Sequence, residues 1–117
     1  MYKLKLGWTK DRVRTQIKKY NNGNRALRHC TNYCTYKDNG GNRCFIGAFI
    51  PDDHTEAFDS WDSVSHLLDK YPELDDEMPF RDVEVLKAFQ AAHDDAVQST
   101  LQALEQFLEL CEETKLP

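Results

Sequence analysis

The hydrophobic positions fall into blocks whose spacing changes along the chain. Tyr2 to Leu6 alternates apolar and lysine residues, which predicts a short strand or extended arm ended by Gly7. Trp8, Val13, Ile17 and Tyr20 then recur at helical intervals, with Thr9 placed as an N-cap and Asp11 in the first turn. A helix over about 10–21 follows, ended by Asn21-Asn22-Gly23-Asn24. Residues 25–33 read as a short helix carrying Ala26, Leu27 and Cys30.

Cys34 to Ile46 has two strand-like arms around Asp38-Asn39-Gly40-Gly41, residues that tolerate positive φ. This predicts an antiparallel β-hairpin. A three-residue loop with a glycine bulge places Cys34, Tyr36, Cys44 and Ile46 on one face. Thr35, Lys37, Arg43 and Phe45 then take the other. The apolar run 44–50 predicts a buried turn or short helix that Pro51 terminates. Asp59 or Ser60 caps a helix to Tyr71, burying Trp61, Val64, Leu67 and Leu68. Glu73 to Met78 reads as an acidic loop, and Pro79 as the opening of the last helix.

Phe80 to Leu116 contains neither Gly nor Pro, and its apolar residues recur every three or four positions. About 35 helical residues would rise roughly 50 Å. A compact chain of this size has a diameter of only about 35 Å. The helix therefore either breaks, near His93-Asp94-Asp95, or packs its end on a second copy as a homodimer. The fold class expected is α+β and mainly α: one small antiparallel hairpin packed against three or four helices, with the long C-terminal helix broken.

Length and composition refine this picture. The 117 residues fit one domain, 40% of them are apolar, and the mean hydropathy is −0.71. The longest apolar run is far too short to span a bilayer, and no export signal opens the chain, so a soluble intracellular protein with no membrane partner is expected. The net charge of −5 argues at first against a nucleic-acid binder. Position changes that. Residues 1–50 hold eleven Lys and Arg against two acids, a net of +9. Residues 51–117 hold four against eighteen, a net of −14. The halves either neutralise each other or leave charged faces for partners.

Several constellations carry candidate chemistry. Lys10, Arg12, Arg14, Lys18, Lys19, Arg25 and Arg28, with Trp8, Tyr20 and Tyr33 nearby, form a cluster that would track phosphates. The acidic half offers the mirror reading, a DNA mimic that fills a basic groove on another protein. Cys30, Cys34 and Cys44 with His93 (or His29 or His54) would make a zinc site, but the second close ligand pair of structural zinc sites is missing. Core thiols are the simpler reading, and no cofactor is expected. A Cys44–His93 nucleophile has no glycine-rich oxyanion turn beside it, so no catalytic residue is assigned. His93 on an apolar helical stripe reads as a satisfied core histidine.

The most distinctive signature is Cys34-x-Tyr36, then Gly41, then Cys44-x-x-Gly47-x-x-Ile50-Pro51-Asp52, followed later by Gln90-x-x-His93-Asp94. This pattern, with a preceding basic helix and an acidic middle helix, resembles a family of small uncharacterised phage and prophage proteins over about residues 12–95. The chain departs from that family at Phe45, where Ala is usual, and in its long C-terminal helix. The resemblance implies no activity or cofactor. It implies phage origin, action in the cytoplasm of the infected host cell, and a host or defence protein as partner. The expected function is a non-enzymatic accessory protein that binds and inhibits that partner, with nucleic-acid binding as the alternative.

Overall fold

The structure, a computed structural model, describes residues 2–20, 36, 43–58, 63–94 and 99–114. Among these the chain is mainly helical, with one two-stranded sheet. Helix α1 spans Lys10–Lys18, and Thr9 caps it by accepting a hydrogen bond from the Arg12 N–H at 3.0 Å. Val13 and Ile17, four apart, form its buried stripe. A 3-10 helix, Gly47–Phe49, packs against α1. The short helix α2, Thr55–Phe58, follows, and then α3, Val64–Lys70, capped by Ser63. The cap is therefore Ser63, in extended backbone, and not the expected Asp59 or Ser60; positions 59–62, with the expected core residue Trp61, lie outside the described residues.

Three further expectations are corrected here. The sheet is not an antiparallel hairpin. It is parallel, pairing β1 (Tyr2–Lys3) with β2 (Cys111–Glu112) in the register Tyr2 to Cys111. The expected turn, Asp38 to Gly41, lies outside the described residues, and of the expected second arm only Arg43 is in a β-bridge. Ile46 instead adopts helical backbone and leads into the 3-10 helix. The predicted alternation fails with it, because Arg43, Cys44, Phe45 and Ile46 are all buried. Core on every side has replaced a two-faced ribbon.

The second correction concerns the acidic loop, which is a 3-10 helix, Pro72–Glu77. Leu74 is fully buried and anchors it beneath a polar sequence. The third concerns Pro79, which does not open the last helix. Its carbonyl accepts from the Lys5 N–H at 2.8 Å, and Phe80 forms an antiparallel bridge with Leu4. Tertiary pairing thus overrides proline's preference for a helix start. Asp82 begins the helix instead, accepting from the Glu84 N–H with its side chain and from the Leu86 N–H with its carbonyl.

The long apolar-periodic segment is divided. Helix α4 runs over Val83–Asp94 and α5 over Thr100–Glu109, with Ser99 in extended backbone as the new N-cap. Of the two expected outcomes the chain takes the break, with α4 ending at Asp94, and the Cα radius of gyration is 13.4 Å. Helix α4 packs on both α3 and α5. Phe89 of α4 centres an aromatic cluster, its ring 4.9 Å from Phe45, 5.2 Å from Phe107 and 5.5 Å from Phe80. No helix among the described residues is long and apolar enough to cross a membrane.

Candidate functional site

The described members of the signature motif converge on the segment from Arg43 to Asp52. Gly47 is required by space. A Cβ there would lie 1.9 Å from the backbone oxygen of Tyr36, so only glycine lets that strand of chain pass. The Gly47 N–H donates to Cys44 Sγ at 3.3 Å, so the thiol holds the turn that begins the 3-10 helix. Gln90 of α4 accepts from the Ile46 N–H at 3.1 Å and donates to Asp94 Oδ1 at 3.1 Å. His93 is fully buried, packs edge-on to Phe45 at 4.9 Å, and lies with Nδ1 3.2 Å from Asp94 Oδ1. The two separated halves of the motif are therefore one contact region. Gly41 and Cys34 lie outside the described residues.

Arg43 is the residue that sequence reasoning missed. It is 4% exposed, and its guanidinium is sandwiched between the rings of Tyr20 at 3.8 Å and Phe58 at 4.6 Å. It donates to Ile50 O at 3.2 Å and to Asp52 Oδ1 at 2.6 Å. Tyr20 Oη donates to the same carboxylate oxygen at 3.0 Å. These hydrogen bonds, Arg43 first and Tyr20 second, hold the Asp52 carboxyl below its ordinary range. Asp52 thus clamps the end of the basic helix to the buried segment. Nothing local in the sequence marks Arg43, since its partners come from positions 20, 50, 52 and 58.

The basic cluster is partly neutralised. Arg14 pairs with Asp11 at 2.6 Å and with Glu105 of α5 at 2.7 Å, which raises its pKa further. The Arg12 guanidinium lies 3.7 Å over the Trp8 ring, and Lys19 Nζ is 5.5 Å from the Tyr20 ring. Arg12, Lys18 and Lys19 are exposed. Arg25 and Arg28 lie outside the described residues.

Among the described residues no group of three or more His, Cys, Asp or Glu side chains could hold a metal ion. Cys30, Cys34 and His29 lie outside them. His54 is engaged elsewhere. Its Nδ1 accepts from the Ala57 N–H at 3.3 Å, so Nε2 carries the proton and donates to Glu73 at 2.8 Å. That bond pulls the Glu73 carboxyl down. Burial pushes the Cys111 thiol up to about 11, which makes it a poor nucleophile.

A separate open cleft of about 450 Å³ is lined by Lys5, Leu6, Trp8, Asp75, Asp76 and Arg81. The Lys5 ammonium donates to the backbone oxygen of Asp75 and so ties the two walls together. Partial burial lowers its pKa against the opposing pull of Asp75 and Asp76. Sequence reasoning did not join these residues, because the chain between the walls is some seventy positions long.

The chain matches no protein-family model, no curated protein and no solved structure.

Proposed function

We propose that the chain is a non-enzymatic phage accessory protein that binds and inhibits a host or defence protein in the cytoplasm of the infected cell. One observation carries the binding part. Between positions 69 and 84, seven acids and two cations are all exposed, a net of −5 on one stretch of surface. Such a surface raises the encounter rate with a basic partner and rejects acidic ones. The motif residues support the non-enzymatic part. Tyr36, Cys44, Gly47, Ile50 and His93 are buried, and the exposed Asp52 and Asp94 are engaged by Arg43, Tyr20 and Gln90, as a scaffold requires. The phage assignment rests on the sequence resemblance.

A tagged pull-down from host lysate tests the reading. One stoichiometric protein is expected at low salt, released as salt rises to about 0.5 M, where exposed charges are screened within a few ångströms. An empty lane overturns it. Binding of DNA or RNA that weakens steeply with salt, with no protein captured, would instead select the alternative that uses the exposed Arg12, Lys18 and Lys19.

A further inference from the structure

We propose that residues 2–5 form an exchangeable strap, and that two copies of this chain trade straps in a two-fold dimer hinged at Gly7, each strap filling the slot of the other copy. This goes beyond the host-protein reading above and does not rest on it.

The strap is seated as an inserted strand. The Tyr2 and Leu4 N–H groups donate on one side to Leu110 O and Glu112 O, each at 2.9 Å, and the Lys5 N–H donates on the other to Pro79 O at 2.8 Å. Leu4 is 1% exposed, and Tyr2 stacks on Phe107 at 4.8 Å. Thr114 Oγ1 donates to Leu4 O at 2.6 Å. These partners all lie between positions 79 and 114, so the slot belongs to the far half of the sequence. Helix α1 is held to that half by bonds of its own. The Lys10 N–H donates to Glu113 Oε2 at 3.0 Å, and Arg14 pairs with Glu105. The strap therefore changes slots while α1 stays. A second copy is the occupant whose fit is known, because it carries the same strap.

The connection between strap and α1 is built to open. Trp8 N–H donates to Lys5 O at 3.0 Å, closing a turn, and Gly7 sits at φ +89, as the third position of a type II turn requires. Apart from its two neighbours, nothing comes within 4 Å of a Cβ placed on Gly7, and Leu6 before it is 57% exposed. The corner of the turn is thus unpacked. Opening it breaks the Trp8–Lys5 bond and the 3.4 Å contact of Arg12 Nη1 with Gly7 O. Every strap contact is remade in the dimer. The balance then lies between the turn, which glycine makes easy and which favours one copy, and the contact between copies at the opened hinge, which chain concentration favours. The cleft beside the hinge sets Lys5 and Arg81 against Asp75 and Asp76, so two identical surfaces meeting there carry no net charge against each other, and each exposed Leu6 gains cover.

The test refolds the full chain from urea at low and at high chain concentration and separates the products by gel filtration with light scattering. Wild type should return as monomer at low concentration and yield a dimer fraction at high concentration. Gly7→Val strains the closed turn but not an extended hinge. It should raise the dimer association constant about a hundredfold, roughly tenfold for each of the two hinges. Gly7→Asn, which tolerates left-handed backbone, should behave as wild type. The position of the strap is read in dimers made from equal parts of carbon-13-labelled and unlabelled chain. Isotope-filtered NMR should show the Tyr2 ring of one copy against the Phe107 ring of the other. A dimer in which Tyr2 and Phe107 meet only within one copy would overturn the proposal. Equal dimerisation of the Val and Asn variants would do the same. So would a wild type that refolds only to monomer at the highest concentration while Gly7→Val is monomeric or unfolded.

Discussion

Gly47 and Gly7 show two different reasons for the same residue. Gly47 has ordinary backbone but no room, since Tyr36 O occupies the place of a Cβ. Gly7 has room but a left-handed φ of +89. Gly47→Ala should therefore cost more than about 3 kcal/mol, because backbone must move. Gly7→Ala should cost only about 1 kcal/mol of local strain. Paired thermal unfolding of the two variants checks this, and equal losses would show that the Tyr36–Gly47 contact is not rigid. Asp52 supplies the second residue-scale prediction. Its folded pKa lies below its ordinary value of 3.8, so the stability it contributes is complete above that value and is lost as pH falls through the folded pKa. Glu73, also held low, acts with the same sign. Asp52→Asn should flatten part of this acid limb. It should also cost no more than about 1 kcal/mol at pH 7, since Arg43 keeps a neutral acceptor and the Asp52 side chain is 69% exposed. Urea titrations between about pH 3 and pH 7 measure both. An unchanged acid limb in the variant would remove Asp52 from the account.

At the scale of elements, the Gln90 side chain ties the 43–50 segment to α4 among aromatic contacts. Gln90→Leu should leave the Ile46 N–H without its acceptor and cost about 1–3 kcal/mol. Gln90→Glu keeps an acceptor and should recover part of that, less the repulsion from Asp94. Hydrogen exchange at the Ile46 amide reads the effect directly, with faster exchange expected in the leucine variant. Helix α1 was legible in the sequence because its cap, stripe and first-turn acid are all local. The break before α5 was one of the two outcomes that length left open, the other being a straight helix packed on a second copy. The 3-10 helix at 72–77 was hidden because one buried leucine, not periodicity, fixes it. The sheet was misread for a related reason. Alternation marks Tyr2 to Leu6 as extended, but it cannot name a partner more than a hundred residues away. The site divided in the same way. Cys44, Gly47, Ile50, Pro51, Asp52, His93 and Asp94 stood out as a pattern, while Arg43 and the cleft depend on contacts that only the fold creates.

For the molecule as a whole, two forces join the oppositely charged halves, and their magnitudes differ. Besides the Arg43–Asp52 pair, the halves are linked on the surface by Arg14 and Glu105, 2.7 Å apart but with side chains 30% and 48% exposed. A double-mutant cycle on that pair should give no more than about 1 kcal/mol, shrinking with salt. A larger coupling would mean that charge, and not packing, unites the halves. One apolar link, beside the contacts of Phe45 and Phe49 with Phe89, is the pairing of β1 with β2. Leu4 is 1% exposed, its N–H donates to Glu112 O at 2.9 Å, and its neighbour Tyr2 stacks on Phe107 at 4.8 Å. On its other side Leu4 bridges Phe80, so β1 lies between β2 and the chain leading into α4. Leu4→Ala should thus cost about 2–4 kcal/mol, the range for a buried leucine in a core that cannot fully collapse. Because β1 touches elements from both ends, the loss should be shared. Amide protection at Tyr2 and Leu4, whose N–H groups donate to Leu110 O and Glu112 O, should fall together with that of α4, in one cooperative step. Early exchange of these two amides alone, with α4 unchanged, would show that this pairing closes after the core has formed and adds nothing to it.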